Sequence, residues 1–281
     1  MDEQEVCTPS DQAEFWKKKR ADKRKRKKER NEVVKSQRQE EWAGMTEEER
    51  QARREEALRL RALRKDEEEA EEAKCRAALD SVKTPTVVFD LSFAWCMTVA
   101  DTKSTVAQIK YAYSSLKHSQ FPFKPVITSV KGKEEDSTED TEEQEKVLEV
   151  LRDFEGFKRY PPVVTEEHWS KHFDKSKVVF LTADSDDTLT EIEPEMVYVI
   201  GAFVDHNRHK NLSFQAASRH GVRTAKLPIQ ENITIGDRCK VLTINHMVDV
   251  LAKYQKEKDW RSALETVLPS RRTKEKRPRG K

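Results

Sequence analysis

The sequence is poor in glycine and cysteine and lacks long apolar runs. No two of its seven glycines are separated by a single residue, so the glycine-rich loops that bind dinucleotides or nucleotide phosphates are absent. Its four cysteines lie far apart without a CxxC pair, which favours reduced intracellular thiols over zinc sites or disulfides. No stretch approaches the roughly 18 apolar residues of a membrane span, and the acidic start MDEQEV is unlike a secretory signal or transit peptide.

Charge is abundant, with 54 basic and 52 acidic residues among 281, and it is unevenly distributed. We predict a charged, helical and partly disordered arm over residues 1–84, a globular domain over 85–270 and a basic tail over 271–281. The central segment has an ordinary globular composition and is long enough to bury a core.

The arm contains an extreme basic run, because 11 of the 14 residues in 17–30 are Lys or Arg. Such density neutralises several phosphates and gives strong, sequence-independent binding to nucleic acid through counterion release. The alternative is a nuclear-import signal or a solvated charge run, and the sequence alone favours neither reading.

A long helix is predicted in the second half of the arm. Thr46 and Glu49 form a capping box, and the residues after them are good helix formers with opposite charges at helical spacing. The apolar stripe is thin, which favours a charged, solvated helix over a coiled coil. It consists of Leu58, Leu60, Leu63 and Ala70.

Beyond Pro85, strand and helix patterns alternate, which predicts an α/β fold with a mostly parallel sheet. The predicted strands are apolar and rich in β-branched residues, and they cover 86–93, 124–130, 177–183, 196–204 and 224–229. The predicted helices cover 103–117, 146–154, 165–173, 187–192, 212–220, 241–257 and 260–268. Gly221 suits a left-handed C-cap at the end of 212–220, and Asp259 can cap the start of 260–268.

The strand over 196–204 ends in an abruptly polar loop that begins with Asp205. Ligands of parallel sheets bind at the carboxyl ends of strands, so this loop and the neighbouring strand ends could form one pocket. The alternative for Asp205 is a turn or helix-capping carboxylate. A metal site with His206 and His209 is disfavoured by the cationic neighbours Arg208 and Lys210, and no metal is predicted.

Four segments, which follow the same order along the chain as in a known family, resemble that family. They are YVIGAFVDHNRHKN (198–211), AKLPI (225–229), KVLTINHMVDVLAKY (240–254) and DWRSALETVLP (259–269). The chain resembles, over nearly all of 86–270, the eukaryotic and archaeal tRNA methyltransferases that modify N1 of the purine at tRNA position 9, a family of the SPOUT superfamily. FDLSF (89–93) and FLTADS (180–185) fit its first strand and a cofactor loop.

This resemblance implies a C-terminal trefoil knot that binds S-adenosylmethionine, with Asp205 as the general base. One departure is Ala202, where relatives commonly have a second glycine. The implied cofactor-binding residues lie in the strand ends and loops of the knot. They are Leu181, Thr182, Gly201, Ala202, His206, Asn207, Arg208, His209, Lys210, Phe214, Leu227, Pro228, Val241, Leu242, Thr243 and Asn245.

The resemblance further implies that the protein methylates guanine 9 of tRNA as a monomer, without a membrane, in the nucleus, the cytoplasm or both. A non-catalytic RNA-binding or scaffold protein that keeps a knotted domain is the competing reading. It is disfavoured because Asp205, Asn207 and Arg208 are all present. A metal-dependent nuclease using Asp205 and the histidines is a third reading.

The basic run generates the first prediction. We expect the affinity of the full chain for tRNA to fall steeply as salt rises, because each neutralised phosphate releases counterions. Filter binding across a salt series measures this slope. A flat response would assign residues 17–30 to the import-signal reading instead.

Overall fold

A computed structural model describes residues 9–132, 142–204, 208–233 and 242–268. The chain divides into two units, Met1–Glu69 and Ala70–Lys281. The second unit thus begins inside the predicted arm, ahead of the expected boundary at Pro85. The reason is local packing, since Cys75 is only 2% exposed and belongs to the hydrophobic core of this unit.

The first unit is helical, and its helices are separated by a short break at residues 45–46. Helix α1 covers Pro9–Gly44, and α2 covers Glu47–Asp80, whose last third belongs to the other unit. The predicted capping box is confirmed, because the Glu49 carboxylate accepts from the Thr46 N–H at 2.8 Å and the Thr46 hydroxyl accepts from the Glu49 N–H at 3.3 Å. The Arg50 guanidinium donates to two carbonyls at the end of α1 that helical bonding leaves unpaired.

Both arm helices present charge to solvent. The side chains of residues 17–30 are exposed, and Leu58, Leu60 and Leu63 are 65%, 47% and 50% exposed. This exposure agrees with a solvated helix.

Six strands of the described chain form one parallel sheet in the order β3-β2-β1-β5-β4-β6. The predicted mostly parallel α/β sheet is therefore confirmed. The strands are short, and the four central ones, β1, β2, β4 and β5, are almost entirely buried, as expected for a sheet covered on both faces. They are β1 Thr86–Asp90, β2 Lys124–Thr128, β3 Val163–Val164, β4 Val178–Leu181, β5 Val197–Gly201 and β6 Arg223–Ala225.

The helices of the second unit pack around this sheet, and α3 and α7 pack against each other. Two predicted helix ends are confirmed by their caps. Gly221 ends α5 in the left-handed region at φ 64°, and the Asp259 carboxylate accepts from two N–H groups of α8. The helices are α3 Val99–His118, α4 Glu142–Glu149, α5 Leu212–His220, α6 Ile229–Asn232, α7 Ile244–Glu257 and α8 Trp260–Val267.

Two helix predictions are wrong. The segment 165–173 contains only the 3-10 turn Trp169–Lys171, because the preceding Val163–Val164 pairs with β2 as an edge strand. Residues 187–192 are irregular, and Thr188 forms an isolated bridge with Lys226, which directly follows β6. Two apolar residues of this irregular segment, Leu189 and Ile192, are buried.

The structure does not test the predicted knot, since residues 205–207 and 234–241 lie outside the described chain. In the described part, no helix is both long and apolar enough to span a membrane. The same ranges contain no cluster of three or more potential metal ligands.

The end of α2 is tied to the sheet unit by an ion-pair network. Glu72 accepts from Arg159 and from Arg76, each at 2.7 Å. Hydrogen bonds from Arg159 first and Arg76 second hold the pKa of Glu72 below its usual value. The network therefore links α2 to the loop before β3.

The carboxylate of Asp90, 1% exposed, joins three loops at the carboxyl end of β1. Its Oδ1 accepts from the Ser92 N–H at 3.1 Å and the Ser129 hydroxyl at 3.2 Å. Its Oδ2 accepts from the Ser92 hydroxyl at 3.0 Å and from Trp169 Nε1–H at 3.2 Å. Each oxygen thus faces one N–H group that can only donate.

This geometry predicts that Asp90→Asn is strongly destabilising although the two side chains have the same shape. Either amide orientation places the new NH₂ group against the N–H of Ser92 or Trp169. We expect a loss of about 2–4 kcal/mol, from one buried charged acceptor removed and one donor left unpaired. Urea unfolding measures the loss, with the exposed Asp153→Asn as control. Equal stability of the two variants would contradict this account of Asp90.

Candidate active site

A pocket of about 640 Å³ opens at the carboxyl ends of β4 and β5. Its volume lies within the usual range for small-molecule and cofactor sites. It is lined by strand ends, loops and helix α3. The described lining residues are Ser104, Gln108, Leu181, Thr182, Ala183, Asp184, Ile200, Gly201, Phe203, Val204, His209, Leu212, Ser213, Lys226, Leu227, Ile229, Gln230, Glu231, Leu242, Thr243, Ile244 and Met247.

The wall built by the strand ends combines apolar side chains with carboxylates. Leu181, Ile200 and Leu227 present apolar surface that suits the faces of a purine ring. Asp184 and Glu231 bring negative charge to the same wall and can accept hydrogen bonds from hydroxyl groups. This combination can hold a cationic nucleoside without a glycine-rich loop.

Gly201 allows a close approach in the middle of this wall. A Cβ atom at this position would lie 2.9 Å from the Phe203 ring, 3.1 Å from the Ser213 hydroxyl and 3.2 Å from the Phe93 ring. The Phe93 and Phe203 rings pack with their centroids 4.8 Å apart. Only glycine therefore leaves these side chains in place.

The opposite wall is formed by helix α3. Ser104 and Gln108, one turn apart on this helix, line the pocket. The Gln108 side-chain oxygen accepts from the Ile244 N–H at 3.0 Å. It thereby satisfies a first-turn donor of α7, whose N-cap Thr243 makes no side-chain cap.

The residues on either side of 205–207 both form hydrogen bonds to the segment 97–101. Before the gap, the Val204 N–H donates to the Met97 sulfur at 3.4 Å. After it, the Arg208 guanidinium donates to the Asp101 carboxylate at 2.8 Å, and the Asp101 side chain is only 12% exposed. Asp101 also completes the capping box of α3, so this anchor is fixed.

An aromatic contact lies beside this anchor. The ring centroids of Trp95 and His209 are 5.9 Å apart with an interplanar angle of 64°. Trp95 belongs to the 3-10 turn Ala94–Cys96, and His209 lines the pocket. The ring pair thus connects the loop after β1 with the pocket wall.

The structure brings part of the predicted cofactor set together. Seven predicted residues line the pocket, namely Leu181, Thr182, Gly201, His209, Leu227, Leu242 and Thr243. Their role in binding stays a prediction.

Other members of the set are not among the described lining residues. Ala202 is fully buried behind the wall, and Arg208 is turned to Asp101. Lys210, Phe214, Pro228 and Asn245 also lie outside the lining. The predicted base Asp205 lies outside the described residues, as do His206, Asn207 and Val241.

The α3 wall was not predicted from the sequence. Ser104 and Gln108 lie outside the segments that carry the resemblance, and 103–117 was predicted only as a helix. The one available signal was the polar pair at helical spacing on a helix with buried neighbours. Phe203 and Val204 were also missed, although they immediately precede Asp205.

Comparison with known proteins identifies relatives along most of the chain. A family model described as tRNA (guanine(9)-N(1))-methyltransferase TRM10/TRM10A matches residues 10–273. A tRNA (guanine(9)-N1)-methyltransferase of Schizosaccharomyces pombe is 34% identical over 194 residues, which are 66% of this chain and 58% of that protein. The tRNA methyltransferase 10 homolog A of Bos taurus is 30% identical over 199 residues, covering 70% and 55%. The match thus spans less than two thirds of these relatives.

Solved structures agree with the fold. The crystal structure of spTrm10(74) has 30% sequence identity and a TM-score of 0.57, covering 66% of this chain and 95% of that one. Full-length spTrm10 in complex with SAH has 32% identity and a TM-score of 0.55, covering 66% and 94%.

The crowding at Gly201 predicts that Gly201→Ala is destabilising, because the Phe203 and Phe93 rings must move to admit the methyl group. We expect a loss of about 1–3 kcal/mol, as for other overpacked sites. Gly44→Ala is the control, since a Cβ there meets no atom within 4 Å. Urea unfolding compares both variants with the parent chain, and an unaltered Gly201→Ala midpoint would show that the rings yield freely.

Proposed function

Because the chain belongs to the tRNA (guanine(9)-N(1))-methyltransferase TRM10/TRM10A family, we propose that it methylates N1 of guanine 9 in tRNA with S-adenosylmethionine. The observation that carries the proposal is the family match over residues 10–273, which includes both the basic arm and the pocket. A relative of this fold has been crystallised with SAH, the demethylated form of this donor.

The pocket fits such a donor. Leu181, Leu227 and Leu242 offer apolar surface for the adenine ring. The carboxylates of Asp184 and Glu231 suit ribose hydroxyls and a positive charge. Gly201 leaves room for the Phe203 and Phe93 rings at this wall, and no side chain could replace it without displacing the Phe203 ring. When bound, S-adenosylmethionine supplies a methyl group on a positively charged sulfur.

Asp205 is the proposed base because guanine N1 carries a proton and has no free in-plane lone pair. Asp205 directly follows Val204, which lines the pocket. Its carboxylate accepts the N1 proton, N1 forms the new bond to the methyl carbon, and the carbon–sulfur bond breaks with its electron pair remaining on sulfur. The chain otherwise contributes position, which is the main source of rate in an in-line transfer.

We propose that the protein binds tRNA as a monomer and that this binding depends on the arm of the same chain. Residues 17–30 are exposed and rich in Lys and Arg. Their phosphate contacts supply binding energy that offsets the unstacking of a base inside the folded tRNA. Sedimentation of the protein with and without tRNA measures the stoichiometry, and a stable dimer would contradict the monomer.

The direct test is incubation of the full chain with labelled S-adenosylmethionine and tRNA transcripts that carry guanine or adenine at position 9. We expect label at N1 of guanine 9, identified by nuclease digestion and mass spectrometry. The matched control is a transcript with a pyrimidine at position 9. Binding of tRNA and SAH without any transfer would support the non-catalytic scaffold instead.

Asp205→Asn is expected to slow guanine methylation by roughly 10²–10⁴, the range for loss of a general base. Adenine N1 already has a lone pair, so any adenine methylation should slow much less. The parent rate on guanine should rise with pH, because the deprotonated acceptor becomes commoner. Single-turnover rates across pH measure these effects, with Asp153→Asn as the control. A variant as fast as the parent at neutral pH would remove Asp205 from this role.

A further inference from the structure

Trp95 is an aromatic side chain beside the pocket that the proposed chemistry does not use. It lies in the turn between β1 and α3, and its neighbours Ala94 and Cys96 are buried. The Cys96 N–H and thiol both donate to the Phe93 carbonyl. The turn is therefore anchored, and the Trp95 ring is held partly buried at the surface, against His209.

The proposed reaction determines on which side of the pocket the acceptor must lie. Guanine N1 has to reach a carboxylate that directly follows Val204 in the chain. Val204 is hydrogen-bonded to Met97, and Arg208 is paired with Asp101. Both described flanks thus lie against the segment 97–101, so the acceptor enters on the α3 side of the pocket.

Trp95 and His209 border this side. Trp95 is two residues before Met97, and His209 directly follows Arg208. Their ring centroids are 5.9 Å apart with an interplanar angle of 64°, an edge-to-face contact. His209 is exposed and lines the pocket, so an aromatic surface faces the entering ring.

We propose that Trp95 and His209 form the surface on which the acceptor purine stacks when it leaves the tRNA core, an inference that rests on the proposed methyl transfer. Extrusion deprives the purine of its stacking partners, and base-modifying enzymes replace them with aromatic side chains. The Asp101–Arg208 ion pair is a positioning contact that holds His209 against Trp95.

The kinetic test replaces the indole ring. Trp95→Ala should lower the single-turnover rate on guanine-9 tRNA by roughly 5- to 100-fold, the range for loss of one base–aromatic stack. Trp95→Phe keeps an aromatic face and should restore most of the rate. Tyr111→Ala is the matched control, because Tyr111 on α3 is 68% exposed and outside the pocket. Thermal unfolding of each variant reports whether the fold is retained.

A second readout reports stacking itself. A tRNA with 2-aminopurine at position 9 fluoresces weakly when this base is stacked and brightly when it is not. With SAH present, the Trp95→Ala complex should be brighter than the Trp95→Phe and parent complexes. The affinity for SAH alone, measured by calorimetry, should not change, because Trp95 does not line the pocket.

Several results would contradict the proposal that the acceptor purine stacks on Trp95 and His209. One is an unchanged rate in Trp95→Ala, and another is a slower rate with unchanged fluorescence, which would make Trp95 only a support of the loop. Loss of SAH affinity would place Trp95 on the donor side and exclude it as the acceptor surface. An inactive parent chain would refute the proposed function and this inference together, whereas an active parent with an equally active Trp95→Ala refutes the inference alone.

Discussion

The carboxylate of Asp90 accepts four hydrogen bonds at the buried end of β1, and the shape of the pocket depends on them. Its side chain holds the loops after β1 and β2 together with the turn that carries Trp169. Its main-chain oxygen accepts from the Ala202 N–H at 2.8 Å. A single residue thus connects the core to the strand that forms the pocket wall. The loop after β1 also contains Trp95 and Met97, and Met97 accepts a hydrogen bond from Val204 in the pocket wall. Asp90 therefore also helps to position the side of the pocket that helix α3 forms.

The proposed function assigns the affinity for tRNA and the methyl transfer to different parts of the sequence. The arm helix α1 has 11 basic residues in the stretch 17–30, and they are exposed. The described pocket lining contains two carboxylates, Asp184 and Glu231, and one basic side chain, Lys226, so this charge balance suits the proposed cationic donor better than it suits phosphate. Surface charge of one sign in the pocket would bind either the donor or the nucleic acid poorly. Placing the basic density in a helical arm avoids this conflict.

Sequence patterns predicted the elements whose signals are local. The Thr46–Glu49 box, the Gly221 cap and the Asp259 cap each depend on a few neighbouring residues. The strand β3 was missed because two residues after Pro161 and Pro162 have no periodicity to detect.

The pocket shows the same division between local and distant contacts. Its strand ends were predicted from apolar runs that stop abruptly. Its α3 wall was missed, because the bond from Ile244 to Gln108 joins residues far apart in sequence. The four donors to Asp90 could not be predicted either, since the sequence pattern placed this residue only inside the predicted strand 86–93.

The adjacent positions Gly201 and Ala202 differ in what a methyl group contacts. Successive side chains of an extended segment point to opposite sides. At Gly201 a methyl group would meet the Phe203 and Phe93 rings and the Ser213 hydroxyl. At Ala202 the methyl group is fully buried in the core, and the backbone N–H is occupied by Asp90. The extra carbon atom at 202 therefore adds to core packing and takes no volume from the pocket.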